Sequence, residues 1–114
     1  MIRVAIVTIS DSVAAGTRED RSGAALVQKT SEFGWALAHT KVVSDDQERI
    51  SAVLTGLSEV DVIMTTGGTG LALRDVTPEA TAAVSDRKID GFGELMRLKG
   101  MEKTKFAHLS RGGA

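Results

Sequence analysis

A chain of 114 residues holds one domain and is too short for two hydrophobic cores. With 42% hydrophobic and 25% charged residues it has the composition of an ordinary globular protein, which excludes a fibre or a disordered segment. A net charge of −1 with scattered Lys and Arg leaves no basic stripe for a nucleic acid, and the lack of cysteine removes disulfides, thiolate metal sites and cysteine nucleophiles.

The first segment, Ile2 to Ile9, is nearly continuous in apolar and β-branched residues. That pattern predicts a central strand of a parallel sheet, buried on both faces. Its apolar stretch is too short to cross a membrane and lacks the flanks of a signal peptide, so no membrane partner is expected and the expected compartment is the cytoplasm. A polar loop with Ser10, Asp11, Ser12 and Gly16 as turn formers should follow. Leu26, Thr30 and Phe33 then recur at helical spacing until Gly34 stops the helix.

Trp35 to Val43 alternates weakly and predicts a strand nearer the sheet edge. Ile50, Val53, Leu54 and Leu57 fall on one face of a helix that should pack on the sheet. Val60 to Thr65 is a further short strand, ending directly in Gly67-Gly68-Thr69-Gly70. Thr77-Pro78-Glu79 supplies an N-cap, a proline at the first helical position and an acid in the first turn. A last helix carries Leu95, Met96 and Leu98 and ends at Gly100. Trp35 and the Phe residues are expected in the core or an interface. Alternating strands and helices predict a three-layer α/β/α fold with a largely parallel sheet. Strands are readable at only three places, below the usual five or six or so, and the chain stops in Arg111-Gly112-Gly113-Ala114. The sheet is therefore expected to be incomplete, with the C-terminal part of the domain missing.

Ligands of open α/β sheets sit beyond the carboxyl ends of the strands, where the loops after Ile9, Val43 and Thr65 should converge. Those loops bring Ser10 and Asp11, Asp45 and Asp46, and the glycines with Asp75. The glycine loop lacks the Gly-Lys-Ser/Thr ending of a phosphate-binding loop, and Leu73 stands where a dinucleotide loop has its third glycine. Its backbone N–H groups with Thr66 and Thr69 can still hold an anion, but a plain tight turn explains the glycines equally well. Asp45 and Asp75 are candidate Mg2+ ligands. Asp45 also reads as the N-cap of a capping box with Glu48, Asp75 as a turn or ion-pair contact, Asp11 as the acid of an Asx-turn and Arg74 as a solvated cation.

Taken together, Ser10-Asp11, Ser44-Asp45-Asp46-Gln47, Thr65 to Gly70, Arg74 to Ala80, Gly91 to Glu94 and Leu109-Ser110-Arg111 resemble the molybdopterin adenylyltransferase family and its molybdenum-cofactor biosynthesis relatives. The resemblance implies a homotrimer that adenylylates molybdopterin with Mg-ATP, releasing pyrophosphate. It further implies that Thr66 to Gly70 and Ser110 hold the pterin or its phosphate, with Ser10, Asp11 and Glu94 as further contacts, while Asp45 and Asp75 serve metal and nucleotide. A pterin-binding protein that does not adenylylate, an inactive fragment, or a competence-damage-type relative acting on another nucleotide are the alternatives. Members of the family continue into a further strand and a Leu-Pro-Gly-Xaa-Pro-type segment, whereas the only proline here is Pro78.

Overall fold

The computed structural model describes residues 1–114. Its sheet is three-stranded and parallel, in the order β2-β1-β3, with β1 Arg3–Ile9 in the middle, β2 Ala36–Val43 on one side and β3 Val62–Thr66 on the other. Every residue of β1 from Val4 to Ile9 is buried, as the unbroken apolar run requires. Most of β2 stays exposed, in keeping with its place at an edge.

Side chains alternate across β1, so one strand feeds two layers. On one face Val7 and Ile9 pack with Val43, with Ile50 and Leu54 of helix α3 (Gln47–Gly56) and with Ala80 of α4 (Thr77–Val84). On the other face Thr8 meets the start of α2 (Arg21–Glu32), where its hydroxyl donates to Asp20 Oδ2 over 2.8 Å. Gly23 lies so close to that hydrogen-bonded pair that an added Cβ would collide with both side chains. The three-layer α/β/α arrangement expected from the sequence is thus present. No helix is long and apolar enough to cross a membrane.

Several local expectations are corrected. The polar stretch after β1 is not wholly loop: Asp11–Ala14 form a one-turn helix, α1, capped by Ser10. The cap of α3 is Asp46, whose carboxylate accepts from Arg49 N at 3.0 Å; Asp45 is turned elsewhere. The cap position of α4 belongs to Val76, because the Thr77 hydroxyl is committed to the Gly67 carbonyl at 2.8 Å. Of the core or interface positions expected for the aromatic rings, the core is not taken by Phe33, Phe92 and Phe106, which are all more than half exposed, while Trp35 is half-buried and stacks on Phe33 with centroids 5.1 Å apart. Helix α5 (Asp90–Gly100) likewise leaves Leu95, Met96 and Leu98 in the open.

Ile50 is fully buried where α3, α4 and β1 meet. Removing most of its side chain leaves a cavity that this small core cannot close, so Ile50→Ala should lower the unfolding free energy by about 2–5 kcal/mol in urea titrations.

Candidate functional site

Because β2, β1 and β3 run parallel, their carboxyl ends release three loops at the same edge of the sheet. The loops enclose a cavity of about 490 Å³ lined by Ser10 and Asp11, by Asp45, and by Thr66, Gly67, Gly68 and Asp75. These sequence-predicted residues therefore come together.

The glycines are dictated by geometry as much as by any ligand. Gly67 and Gly68 both adopt positive φ, 98° and 69°, which side-chain-bearing residues rarely tolerate. An added Cβ at Gly67 would strike the Ile9 carbonyl oxygen, and one at Gly68 would strike the Thr77 hydroxyl. The loop curls back on the end of β1 and hands directly into α4, with Thr77 N donating to Gly68 O at 3.0 Å. The tight-turn reading is thus true of these positions, and the same turn forms one wall of the cavity.

Asp45 and Asp11 hold each other reciprocally. Asp11 N donates to Asp45 Oδ2 at 2.9 Å, and Asp45 N donates to Asp11 Oδ1 at 3.0 Å. Arg74 closes on the same carboxylate as a two-pronged fork, Nη2 to Oδ1 at 2.7 Å and Nε to Oδ2 at 3.0 Å. Asp11 is therefore neither an Asx-turn nor free, and Arg74 is not merely solvated. The Arg74 hydrogen bonds, followed by the Asp45 N–H, hold the Asp11 carboxyl below its ordinary pKa, and Asp11 in turn raises that of Arg74. Asp75 accepts from Ala72 N at 3.0 Å within its own turn, as one sequence reading had it.

No group of three or more His, Asp or Glu side chains could hold a metal by itself. Asp45 and Asp75 each have one oxygen engaged by a backbone N–H, and their Oδ1 atoms take no protein hydrogen bond. Two such carboxylates lining one cavity could contribute to holding Mg2+ only with phosphate oxygens and water as its remaining ligands.

The other predicted residues lie apart. Thr69 faces a second cavity of about 210 Å³, bordered by Arg87, Lys88 and Arg111. Ser110 borders a third, of about 330 Å³, and its hydroxyl is 3.4 Å from that of Thr69. Gly70 lines none of these cavities, and its carbonyl accepts from Arg111. Glu94 is exposed on α5 and borders none of them.

Two features escaped the sequence. The far wall of the first cavity is Arg18 to Ser22, where Asp20 caps α2 through Gly23 N; an acid three residues ahead of a helical glycine was the available signal. Arg111 is the other. Its N–H donates to Thr69 O at 2.8 Å, and its guanidinium donates to Gly70 O at 2.9 Å, Asp75 O at 2.6 Å and Glu79 at 2.6 Å. It fastens the C-terminal segment to the outside of the glycine loop and holds the Glu79 carboxyl below its ordinary pKa.

Comparison with known proteins places this α/β domain in a family. Residues 5–113 match the family described as a probable molybdopterin binding domain, and the chain belongs to it. A molybdopterin adenylyltransferase of Helicobacter pylori is 38% identical over 118 aligned residues, covering 99% of this chain and 67% of that protein. A molybdenum cofactor biosynthesis protein B of Bacillus cereus is 46% identical over 100 residues, covering 85% of this chain and 58% of that protein. The crystal structure of a molybdopterin biosynthesis enzyme from Thermus thermophilus superposes with a TM-score of 0.91 at 43% identity, over 100% of this chain and 74% of that one. The chain thus spans 58 to 67% of the length of these curated relatives.

The Asp11 ion pair has a pH signature. A carboxyl whose folded pKa is depressed contributes stability that is present above the unfolded value, about 3.9, and is lost as pH falls through the folded value. Asp11→Asn should therefore be less stable than the parent protein at pH 7, and the gap should shrink below about pH 4. Urea titrations at pH 7 and pH 3 measure it; an unchanged gap would show that Asp11 contributes nothing as an anion.

Proposed function

We propose that this chain is the pterin-binding and catalytic domain of a molybdopterin adenylyltransferase. The observation that carries the reading is the meeting of Asp45 and Asp75, from different loops, on the cavity walled by Gly67 and Gly68. It is supported by membership of the molybdopterin-binding family and by the adenylyltransferase name of the Helicobacter pylori relative.

In the reaction, an oxygen of the pterin's terminal phosphate attacks the α-phosphorus of ATP. The bond from that phosphorus to the bridging oxygen of the β-phosphate breaks, and its electron pair leaves with pyrophosphate, giving adenylyl-molybdopterin. Asp45 and Asp75 would hold Mg2+, which neutralises charge on the phosphates when bound. Ser10 and Thr66 would meet the phosphates from the cavity edge, and the Gly67–Gly68 backbone brings the chain within reach of them. Thr69, Gly70 and Ser110, grouped on the outer side of the loop near Arg111, suit the pterin and its phosphate. Glu94, exposed on α5, borders none of the three cavities and is assigned no contact. Self-association into a trimer would use exposed apolar surface such as that of Leu95, Met96 and Leu98.

Purified protein incubated with molybdopterin and Mg-ATP should release pyrophosphate and form the adenylylated pterin. Asp45→Asn and Asp75→Asn should each lower the rate by about 10²-fold or more with little change in melting temperature, since charge placed for the transition state is lost. Pterin binding without pyrophosphate release would leave a binding protein of the same pathway, and no pterin binding would overturn the proposal.

A further inference from the structure

The cavity draws its two free carboxylates from loops that share no backbone hydrogen bonding with each other, so something else must set their separation. One chain of contacts links the two loops. Arg74 is the residue before Asp75, and its guanidinium crosses to Asp11, 63 residues away, through contacts of 2.7 and 3.0 Å. Asp11 in turn exchanges hydrogen bonds of 2.9 and 3.0 Å with Asp45. The turn bearing Asp75 is thereby tied to the loop bearing Asp45 by side-chain and backbone bonds alone.

We propose that Arg74 is a positioning residue that fixes the separation of Asp45 and Asp75, and with it the affinity of the cavity for a divalent cation carried by nucleotide phosphates. This rests on the reading that those two carboxylates hold the cation. The pair is open to solvent, with 63% of the Arg74 side chain and 45% of the Asp11 side chain exposed. Exposed ion pairs add only modestly to folding stability, so breaking this one leaves the fold in place and acts chiefly on the geometry of the site. The fork geometry also matters: a lysine can reach one Asp11 oxygen as a point charge but cannot grip both in a fixed plane.

The test measures Mn2+ binding by electron paramagnetic resonance in the presence of α,β-methylene-ATP, with nucleotide binding in EDTA as a second readout. In Arg74→Gln and in Asp11→Asn the Mn2+ concentration for half-saturation should rise about tenfold, as it does when partners of metal ligands are removed. The double variant should be no worse than either single one, because both break the same link. Arg74→Lys should recover only part of the loss. Glu32→Gln, which breaks a surface ion pair with Lys29 on α2, should bind Mn2+ as the parent protein does.

Mn2+ affinity unchanged in Arg74→Gln, with the variant folded by circular dichroism, overturns the inference. So does an equal fall in metal-free nucleotide affinity, which would make Arg74 a direct phosphate contact. If Asp11→Asn does not fold, Arg74→Gln decides alone. Absence of Mn2+ binding by the parent protein with the nucleotide would instead overturn the carboxylate–metal reading itself.

Discussion

Gly67 rests against the carbonyl oxygen of Ile9 so closely that only a hydrogen fits in place of a side chain. The strand pairing makes this approach possible, since Thr8 of β1 is level with Thr66 of β3 and the two loops leave the sheet together. With φ positive at Gly67 and Gly68, the chain turns back over the end of β1 instead of continuing outward. The turn then presents its Gly67 and Gly68 carbonyls to the Thr77 hydroxyl and N–H, which starts α4 at a fixed place. Ala80 of α4 closes the core against Ile50 and β1. One steric constraint thus links the wall of the cavity to the packing of the domain.

The same edge collects acids, and Asp11, Asp45 and Asp75, which share the cavity with Glu19 and Asp20, repel one another unless cations or dipoles answer them. Arg74 meets Asp11, while backbone N–H groups meet Asp45 and Asp75. Arg111 reaches Asp75 only through its main-chain carbonyl, which leaves the carboxylate free to face the cavity. Arg74 and Arg111 therefore hold the walls from outside, and although Arg18 and Arg21 line the cavity, the acids Asp11, Glu19, Asp20, Asp45 and Asp75 outnumber them. That balance accords with the proposed reading, in which the phosphates arrive with a divalent cation.

What could be read beforehand follows the range of the interaction involved. The Val4–Ile9 run was legible because burial on both faces leaves no room for a polar residue, and α3 because Ile50, Val53, Leu54 and Leu57 share a face. The convergence of the loops followed from strand direction alone. Asp45 reads from the sequence as the cap of α3 although its neighbour Asp46 can serve as well, and Asp46 takes the place because Asp11 from another loop engages Asp45. Thr77 was misassigned as a cap for the same reason, its hydroxyl being claimed by Gly67. The helix Asp11–Ala14 is too short to show periodicity, and the Arg74–Asp11 pair has no local trace across 63 residues. Exposed Phe33, Phe92 and Phe106 show that apolar character alone does not say which surface a ring will meet.

The titration pattern bears on the kind of chemistry the site could perform. In the cavity, the Asp11 carboxyl is held below its ordinary pKa by the Arg74 fork, which suits a fixed anion and not a proton carrier. For adenylyl transfer this is no deficit. A phosphate monoester has its second pKa near about 6, so the attacking oxygen is already ionised at neutral pH and needs no base. Pyrophosphate held on a cation needs no acid to leave. The barrier that remains is the approach of one anion to another, and it is lowered by alignment and by charge placed in advance. On the proposed reading, the glycine turn and the two carboxylates would act on that barrier, and there errors of position would matter more than errors of proton affinity.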